Sequence, residues 1–459
     1  MKKTLGILLA LVLVLTSIGG FAALAEELPF EGRTLHVLGS VRRYEGEEEA
    51  WQKIAEMFKA EYGADVVYSF TGERNDIPTM ISTAKLSGEQ VDLIASGGNS
   101  VNSFLASSGA IMDLTEALEP IRDRFPENML EFYTLGDKLW GIPYGNCSSC
   151  MIYYNATVFE ELGLEAPTTY EELLAVAQTI SEKTDMIPML HQGLSPAQWP
   201  IWFMAAYAQS SGNNSVENIK EFLSGNRDFN GEEEQKAFEY IKKFWDDGIC
   251  GMESLEIDGE GMRAAFARGE VAMFFGGAWE NANVTKIVTD FEIGTTPFVT
   301  LTDDESILPL VGGGPDDGFC IPTFGGQENV DIALQFIEFI TRPENVNIVL
   351  SCYGCSARVV NGVEIEDTPY NQVYSEKLAP LTIAFLDWIW PTEVNEVFKN
   401  QIPAVIAGES TPEQATAAVQ EALNRLVKEE DYSYDWWNNW TDAQWEAVTL
   451  AEVPAYEVK

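Results

Sequence analysis

The sequence predicts an α/β fold built on parallel sheet, and three observations carry that expectation. Stretches with strand character alternate with amphipathic helices from Arg33 to Ala95, a rhythm that implies crossover helices between parallel strands. Short all-apolar runs such as Val271–Phe275 suit strands buried on both faces. Self-similarity at a period of about 20 to 50 residues, the mark of a solenoid, does not stand out.

The elements follow in chain order. Residues 33–39 (RTLHVLG) alternate enough to be a strand. Residues 47–62 read as a helix, with Trp51, Ile54, Phe58 and Tyr62 on one face at spacings of three and four. A strand over 64–70, a helix over 76–88 and a strand over 91–95 (VDLIA) continue the pattern. The first strand runs into Ser40-Val41-Arg42-Arg43-Tyr44-Glu45 and the third into Ser96-Gly97-Gly98-Asn99-Ser100. Loops at the carboxyl ends of parallel strands are where such folds bind ligands. Residues 138–155 (KLWGIPYGNCSSCMIYYN) give two strand-like pieces around a proline and a glycine. A capping box, Thr168 with Glu171 or Thr169 with Glu172, opens a helix. Residues 192–202 form a loop entering an aromatic helix with Gln198, Trp199 and Trp202.

Residues 261–284 (GMRAAFARGEVAMFFGGAWENANV) read as a short helix, a charged turn and a buried strand. Gly276-Gly277 leaves the backbone free to turn sharply or to approach a ligand. Trp279-Glu280-Asn281 then sets a flat apolar face beside a carboxylate and an amide. Residues 311–322 (VGGGPDDGFCIP) suggest a glycine-rich turn into a strand, and 331–341 an amphipathic helix with Ile332, Phe336, Phe339 and Ile340 inward. Thr411, Pro412 and Gln414 open the last clear helix as cap, first residue and box. Residues 429–459 crowd Tyr432, Tyr434, Trp436, Trp437, Trp440 and Trp445 into a short acidic tail. That tail either staples its aromatics onto the body or leaves a sugar-stacking or partner surface exposed.

Bulk properties bound the function. Lys2-Lys3, the apolar run from Leu5 to Leu15 and Ala23-Leu24-Ala25 make residues 1–25 an expected secretory signal. The first cysteine is Cys147, so no lipid anchor on a new N-terminal cysteine is expected. The 28 Lys+Arg against 72 Asp+Glu give −44, and losing Lys2 and Lys3 brings this to −46. Such a charge argues against nucleic acid or an anionic membrane surface as partner. Six cysteines, four of them in Cys147-Ser-Ser-Cys150 and Cys352-Tyr-Gly-Cys355, leave disulfides, buried thiols, zinc and redox chemistry open. The two histidines, His36 and His191, are few for zinc or a triad, with His191 the better candidate for function. Neither a nucleophile elbow nor a zincin or P-loop motif is present, and no pair of carboxylates stands out. Tryptophans beside Asp, Glu, Asn, Gln and Arg at loop ends suit reversible binding of a neutral polyol.

Four stretches together resemble the extracytoplasmic solute-binding proteins of ABC importers, in the maltose-binding-protein-like group known as family 1. Lys138–Asn155 resembles the family's K-x-x-G-x-P segment and the strand that ends in Tyr-Asn. Phe266–Trp279 is similar to A-F-x-x-G-x-x-A-M followed by G-x-W. Gly313–Phe339 resembles the returning strand and its helix. Pro403–Leu426 resembles A-x-x-G-x-x-T-P-E-x-A-L, with Ala415-Thr416 in place of the A-L. The resemblance implies a periplasmic-binding-protein-like fold of two α/β lobes with a hinge and an interlobe ligand cleft. It places 28–143 and 280–323 in lobe one, 144–279 and 324–428 in lobe two, and 429–459 outside both. It implies cleft positions for Ser40, Arg43, Tyr44, Ser96 and Asn99 from lobe one, and for Tyr144 and Asn146 at the crossing. It also implies ligand positions, for sugar stacking or hydroxyl pairing, at Gln198, Trp199, Trp279, Glu280, Trp390 and Glu393. The paired C-x-x-C motifs are not a family feature, and the missing lipid-attachment cysteine departs from Gram-positive members. The implied activity is reversible binding of a carbohydrate, an oligosaccharide in particular, and its delivery to an ABC-transporter permease. No catalytic residue, cofactor or metal is expected, and the chain is expected to be an extracytoplasmic monomer, periplasmic, secreted or associated with the cell surface. A polyamine or quaternary-amine ligand, and a secreted carbohydrate-active enzyme, are the competing readings.

Overall fold

The computed structural model describes residues 28–40, 46–72, 76–96, 104–145, 147–315, 317–325, 327–352, 359–365, 369–429 and 432–459. The expected signal 1–25 therefore lies outside the described residues. The chain opens with β1 (Thr34–Gly39), α1 (Glu47–Tyr62), β2 (Asp65–Phe70), α2 (Ile77–Ser87) and β3 (Leu93–Ser96). Three glutamates, Glu47 to Glu49, fill the first turn of α1, where they complement the positive end of the helix. Gly63 ends it at φ 86°, a left-handed turn that glycine adopts without strain. β1 pairs in parallel with both β2 and β3, as the strand–helix–strand rhythm requires.

The short strands β4 (Thr134–Leu135), β5 (Lys138–Leu139) and β6 (Ile142–Pro143) lead to the first crossing into lobe two. There follow β7 (Cys147–Asn155), α3 (Tyr170–Lys183), β8 (Ile187–Leu190), α4 (Trp199–Ser210), α5 (Glu232–Asp246), α6 (Gly259–Ala267) and β9 (Val271–Gly277). Thr169, not Thr168, caps α3, in a complete box with Glu172. Next come α7 (Trp279–Ile287), β10 (Ile293–Thr296), β11 (Val311–Pro315) and β12 (Gly318–Cys320). Lobe one holds a five-stranded sheet in the order β2-β1-β3-β12-β6, in which β12 returns antiparallel. Lobe two holds β13-β11-β7-β9-β8, where β13 is Thr382–Ala384 and β10 also pairs with β7. Its strands are mixed, since β7 runs antiparallel to β9 and β11.

Two boundaries differ from expectation. Residues 280–315 stay with the lobe-two sheet through α7, β10 and β11, although 280–323 were expected in lobe one. Conversely, α8 (Val330–Ile340) and α9 (Pro343–Leu350) pack on α1 in lobe one, although 324–428 were expected in lobe two. Phe336 and Phe339 meet Phe58 edge-on at 5.1 and 5.4 Å, and that interlock decides where α8 lies. Periodicity reveals an apolar helix face but not which sheet it covers. The glycine-rich stretch at 311–322 proves to be two strands, β11 and β12, with the second crossing between them.

The last helices of the body are α10 (Thr392–Ile406) and α11 (Pro412–Asn424), the latter with the full Thr411/Gln414 box. The tail then crosses back. Tyr432 and Tyr434 pack on lobe two, whereas Trp436, Trp440 and Trp445, the last on α12 (Asp442–Val448), surround Trp140 of lobe one. The tail is thus a staple across both lobes.

Among the described residues, no helix is long and apolar enough to cross a membrane.

Candidate functional site

A buried polar cluster forms where β8 and β9 end side by side. β9 is buried along its whole length and runs through Gly276 and Gly277, which still pair with Met151 and Cys150 of β7. The glycine pair therefore continues the strand and makes no sharp turn. A Cβ on Gly277 would lie 2.1 Å from the Trp279 ring, so the missing side chain makes room for the indole. Trp279 opens α7 half-buried, with its ring 6.1 Å from that of Phe385.

Beside it, Glu280 is 1% exposed and far from bare. Arg263 of α6 donates from one nitrogen to both of its oxygens, at 3.1 and 3.4 Å. Gln192, just beyond β8, donates its amide to the same carboxylate at 3.1 Å. A buried carboxylate without such partners would carry a large desolvation cost. The sequence reading named Glu280 but neither Arg263 nor Gln192. They lie 17 and 88 positions away, and no local pattern links such pairs.

His191 is the neighbour of Gln192 and is fully buried. Its Nδ1 accepts from the Trp202 indole at 2.9 Å, which assigns the proton to Nε2. Burial pulls its pKa down from 6.5 to about 3, so it is neutral at physiological pH and held in one tautomer. The sign of the linkage is definite. The unfolded chain takes up this proton below about pH 6.5, while the folded chain resists to about pH 3. Stability is complete above 6.5 and falls as pH drops through that window. From pH 7 to pH 5 His191 is expected to remove about 2 kcal/mol. Urea titrations of wild type and His191→Asn at both pH values check this. An equal pH dependence in the two proteins contradicts it.

The other expected positions divide. Ser40 and Ser96 lie buried at the carboxyl ends of the adjacent strands β1 and β3. Gln198, itself half-buried, closes an otherwise exposed turn before α4. Arg43, Tyr44, Asn99 and Asn146 lie outside the described residues. Three aromatics are core in this structure, because neighbouring rings already occupy their faces or edges. Trp199, 1% exposed, donates to the Gly193 carbonyl and meets His191 edge-on. Tyr144 stacks on Phe319 at 4.0 Å, with Trp51 against it. Trp390 packs among Phe222, Phe229 and Phe398. Glu393 lines a groove of about 470 Å³ formed by residues 393–401 and 418–425, apart from the Glu280 cluster.

Cys150, Cys250, Cys320 and Cys352 lie among the described residues. The first three are buried, and burial pushes the Cys250 and Cys320 thiols well above their usual range. Cys355 and the Cys147 side chain lie outside the described residues. Among the described residues, no three His, Cys, Asp or Glu side chains group to hold a metal ion.

Comparison with known proteins fits this architecture. Residues 44–347, more than half of the chain, match the family described as bacterial extracellular solute-binding protein. The xylose/arabinose-binding protein XacG of Haloferax volcanii is 31% identical over 127 residues. That match spans 26% of this chain and only 27% of the relative's length. The fold is similar to that of the solute-binding protein RafE in complex with raffinose, with a TM-score of 0.69 and 20% identity over 86% of this chain and 99% of the other. It is also similar to a chitin oligosaccharide binding protein, with a TM-score of 0.74 and 18% identity over 85% and 98%. Two α/β lobes joined by crossing strands, and a family match over most of the body, lead to one conclusion: the chain belongs to the bacterial extracellular solute-binding protein family.

Proposed function

We propose that this protein is the extracytoplasmic substrate-binding subunit of an ABC importer, and that it binds a carbohydrate, an oligosaccharide in particular, and passes it to a membrane permease. The observation that carries the reading is the half-buried Trp279 beside the partnered Glu280, at the ends of β8 and β9. An indole face stacks on the C–H face of a pyranose, and a held carboxylate accepts from its hydroxyls. Ligands of open α/β sheets bind at such strand ends. From lobe one, Ser40 and Ser96, with Arg43, Tyr44 and Asn99, would complete the site as the lobes close. Gln198 and Asn146 are further contacts in this reading. The names of the relatives point the same way: xylose/arabinose, raffinose and chitin oligosaccharide. The expected leader at residues 1–25 fits export, and the reading contains no catalytic step.

Thermal unfolding with raffinose, stachyose, xylotriose, chitotriose, spermidine and choline tests it. A neutral sugar is expected to raise the melting temperature, because ligand at about 100 times its Kd adds about 2.7 kcal/mol to the folded state. Trp279→Ala should weaken that sugar at least tenfold and leave the unliganded melting temperature nearly unchanged. A shift with spermidine or choline alone would assign the amine class instead. Loss of fold in Trp279→Ala would return this tryptophan to the core.

A further inference from the structure

The Glu280 cluster carries an inference about selectivity, which rests on the carbohydrate reading. Three elements build it: Gln192 follows β8, Arg263 lies on α6 and Glu280 is in the first turn of α7. A carboxylate offers about four acceptor positions. Gln192 and Arg263 take two on Oε1, and Arg263 takes one on Oε2. Arg263 is itself 25% exposed along its side chain, so the pair lies at a margin rather than deep in the core. Gly259, the first residue of α6, is also fixed by this arrangement. A Cβ there would fall 2.4 Å from the Gln192 amide oxygen and 3.1 Å from the Arg263 guanidinium. The helix start thus leaves room for both partners.

We propose that Arg263 is a positioning and specificity-determining residue. It holds Glu280 as a charge-balanced pair, so this half of the site takes an uncharged polyhydroxy ligand and rejects an ammonium ion. The remaining acceptor position on Oε2 suits one donated hydroxyl. A cationic ligand would meet the guanidinium already on the carboxylate. With Arg263 neutralised, Glu280 becomes an uncompensated anion on the same first turn of α7 as Trp279, and a carboxylate near an aromatic ring is a combination that attracts ammonium groups. This acts against the whole-chain charge of −44, which by itself favours cations.

Calorimetric titration of wild type, Arg263→Gln, Arg263→Lys and the double variant Arg263→Gln/Glu280→Gln tests the proposal. The probes are raffinose, stachyose, xylotriose, chitotriose and spermidine. Wild type is expected to bind a neutral sugar and not spermidine. Arg263→Gln should lose at least tenfold on that sugar and gain measurable spermidine binding. Arg263→Lys, which keeps the cation, should recover to within threefold of wild type and still reject spermidine. The double variant should bind no spermidine, because the carboxylate is gone. A merely structural role for Arg263 would weaken the sugar without creating amine binding. That outcome overturns the proposal, as does an Arg263→Gln protein with unchanged sugar affinity. If Arg263→Gln does not fold, spermidine binding by Arg263→Lys at wild-type sugar affinity overturns it too. Wild type that binds none of the sugars removes the carbohydrate reading, and this proposal with it.

Discussion

Glu338→Ala is expected to lower the unfolding free energy by about 3–5 kcal/mol, the range for breaking one partner out of a buried ion pair. The Glu338 side chain is fully buried on α8 and joins three parts of the chain. Arg124 reaches its Oε1 at 2.5 Å and also donates to its backbone carbonyl at 2.7 Å. Arg342 reaches its Oε2 at 2.7 Å, and the Lys459 backbone N–H donates to Oε1 at 3.2 Å. Removal of the carboxylate strands two guanidinium groups, of which Arg342 keeps only Glu61 and the Tyr62 hydroxyl. Urea unfolding measures the loss. Glu338→Met combined with Arg342→Met should recover much of it, because a well-packed apolar pair can match a buried ion pair. A single-variant cost below about 1 kcal/mol would mean that the pair only balances its own desolvation.

That network was invisible in the sequence, whereas α1 was legible to the residue. The spacing of Trp51, Ile54, Phe58 and Tyr62 and the glycine after Tyr62 are local signals, and the helix spans 47–62 as they indicate. The same holds for the Thr411/Gln414 box, whose partners are three positions apart. The site was legible only in part. Trp279 and Glu280 stand out beside a glycine pair, but their α7 context and the Gln192 and Arg263 partners arise from tertiary packing. Trp390 shows the converse. The resemblance implies a stacking platform there, yet the ring is packed among Phe222, Phe229 and Phe398. A sequence records the ring and not its neighbours. The lobe boundaries failed for a related reason. Once α8 docks on α1 through Phe58, residues 330–350 belong to lobe one, and nothing within α8 itself names that partner.

Deletion of residues 432–459 is expected to lower stability by about 5 kcal/mol while sugar affinity stays within threefold of wild type. Trp140, 0% exposed, would lose three indoles with centroids 5.7–6.1 Å from its own. Lobe one would also lose buried Val448, and Leu450, Val453 and Tyr456 from the edge of its core. At about 1.5–3 kcal/mol for a fully buried large apolar side chain, less the entropy of ordering the tail, the sum is of that order. Glu338 and Gln335 would lose their backbone partners at Lys459 and Glu457 as well. Affinity is expected to survive because of where the tail crosses. Trp437 lies against Gly136, between β4 and β5, shortly before the first crossing at β6 and β7. In the same region Phe132 of lobe one meets Trp388 of lobe two. A strap laid along the line where the lobes join changes length little when they rotate, so it holds lobe one together without selecting the open or the closed state. Of the two readings the sequence left open, the staple holds, with Tyr432 and Tyr434 on lobe two and the three indoles on lobe one. Urea unfolding and sugar titration of the truncated protein separate the two roles. Unchanged stability with a large loss of affinity would make the tail part of ligand binding and would contradict its role as a staple.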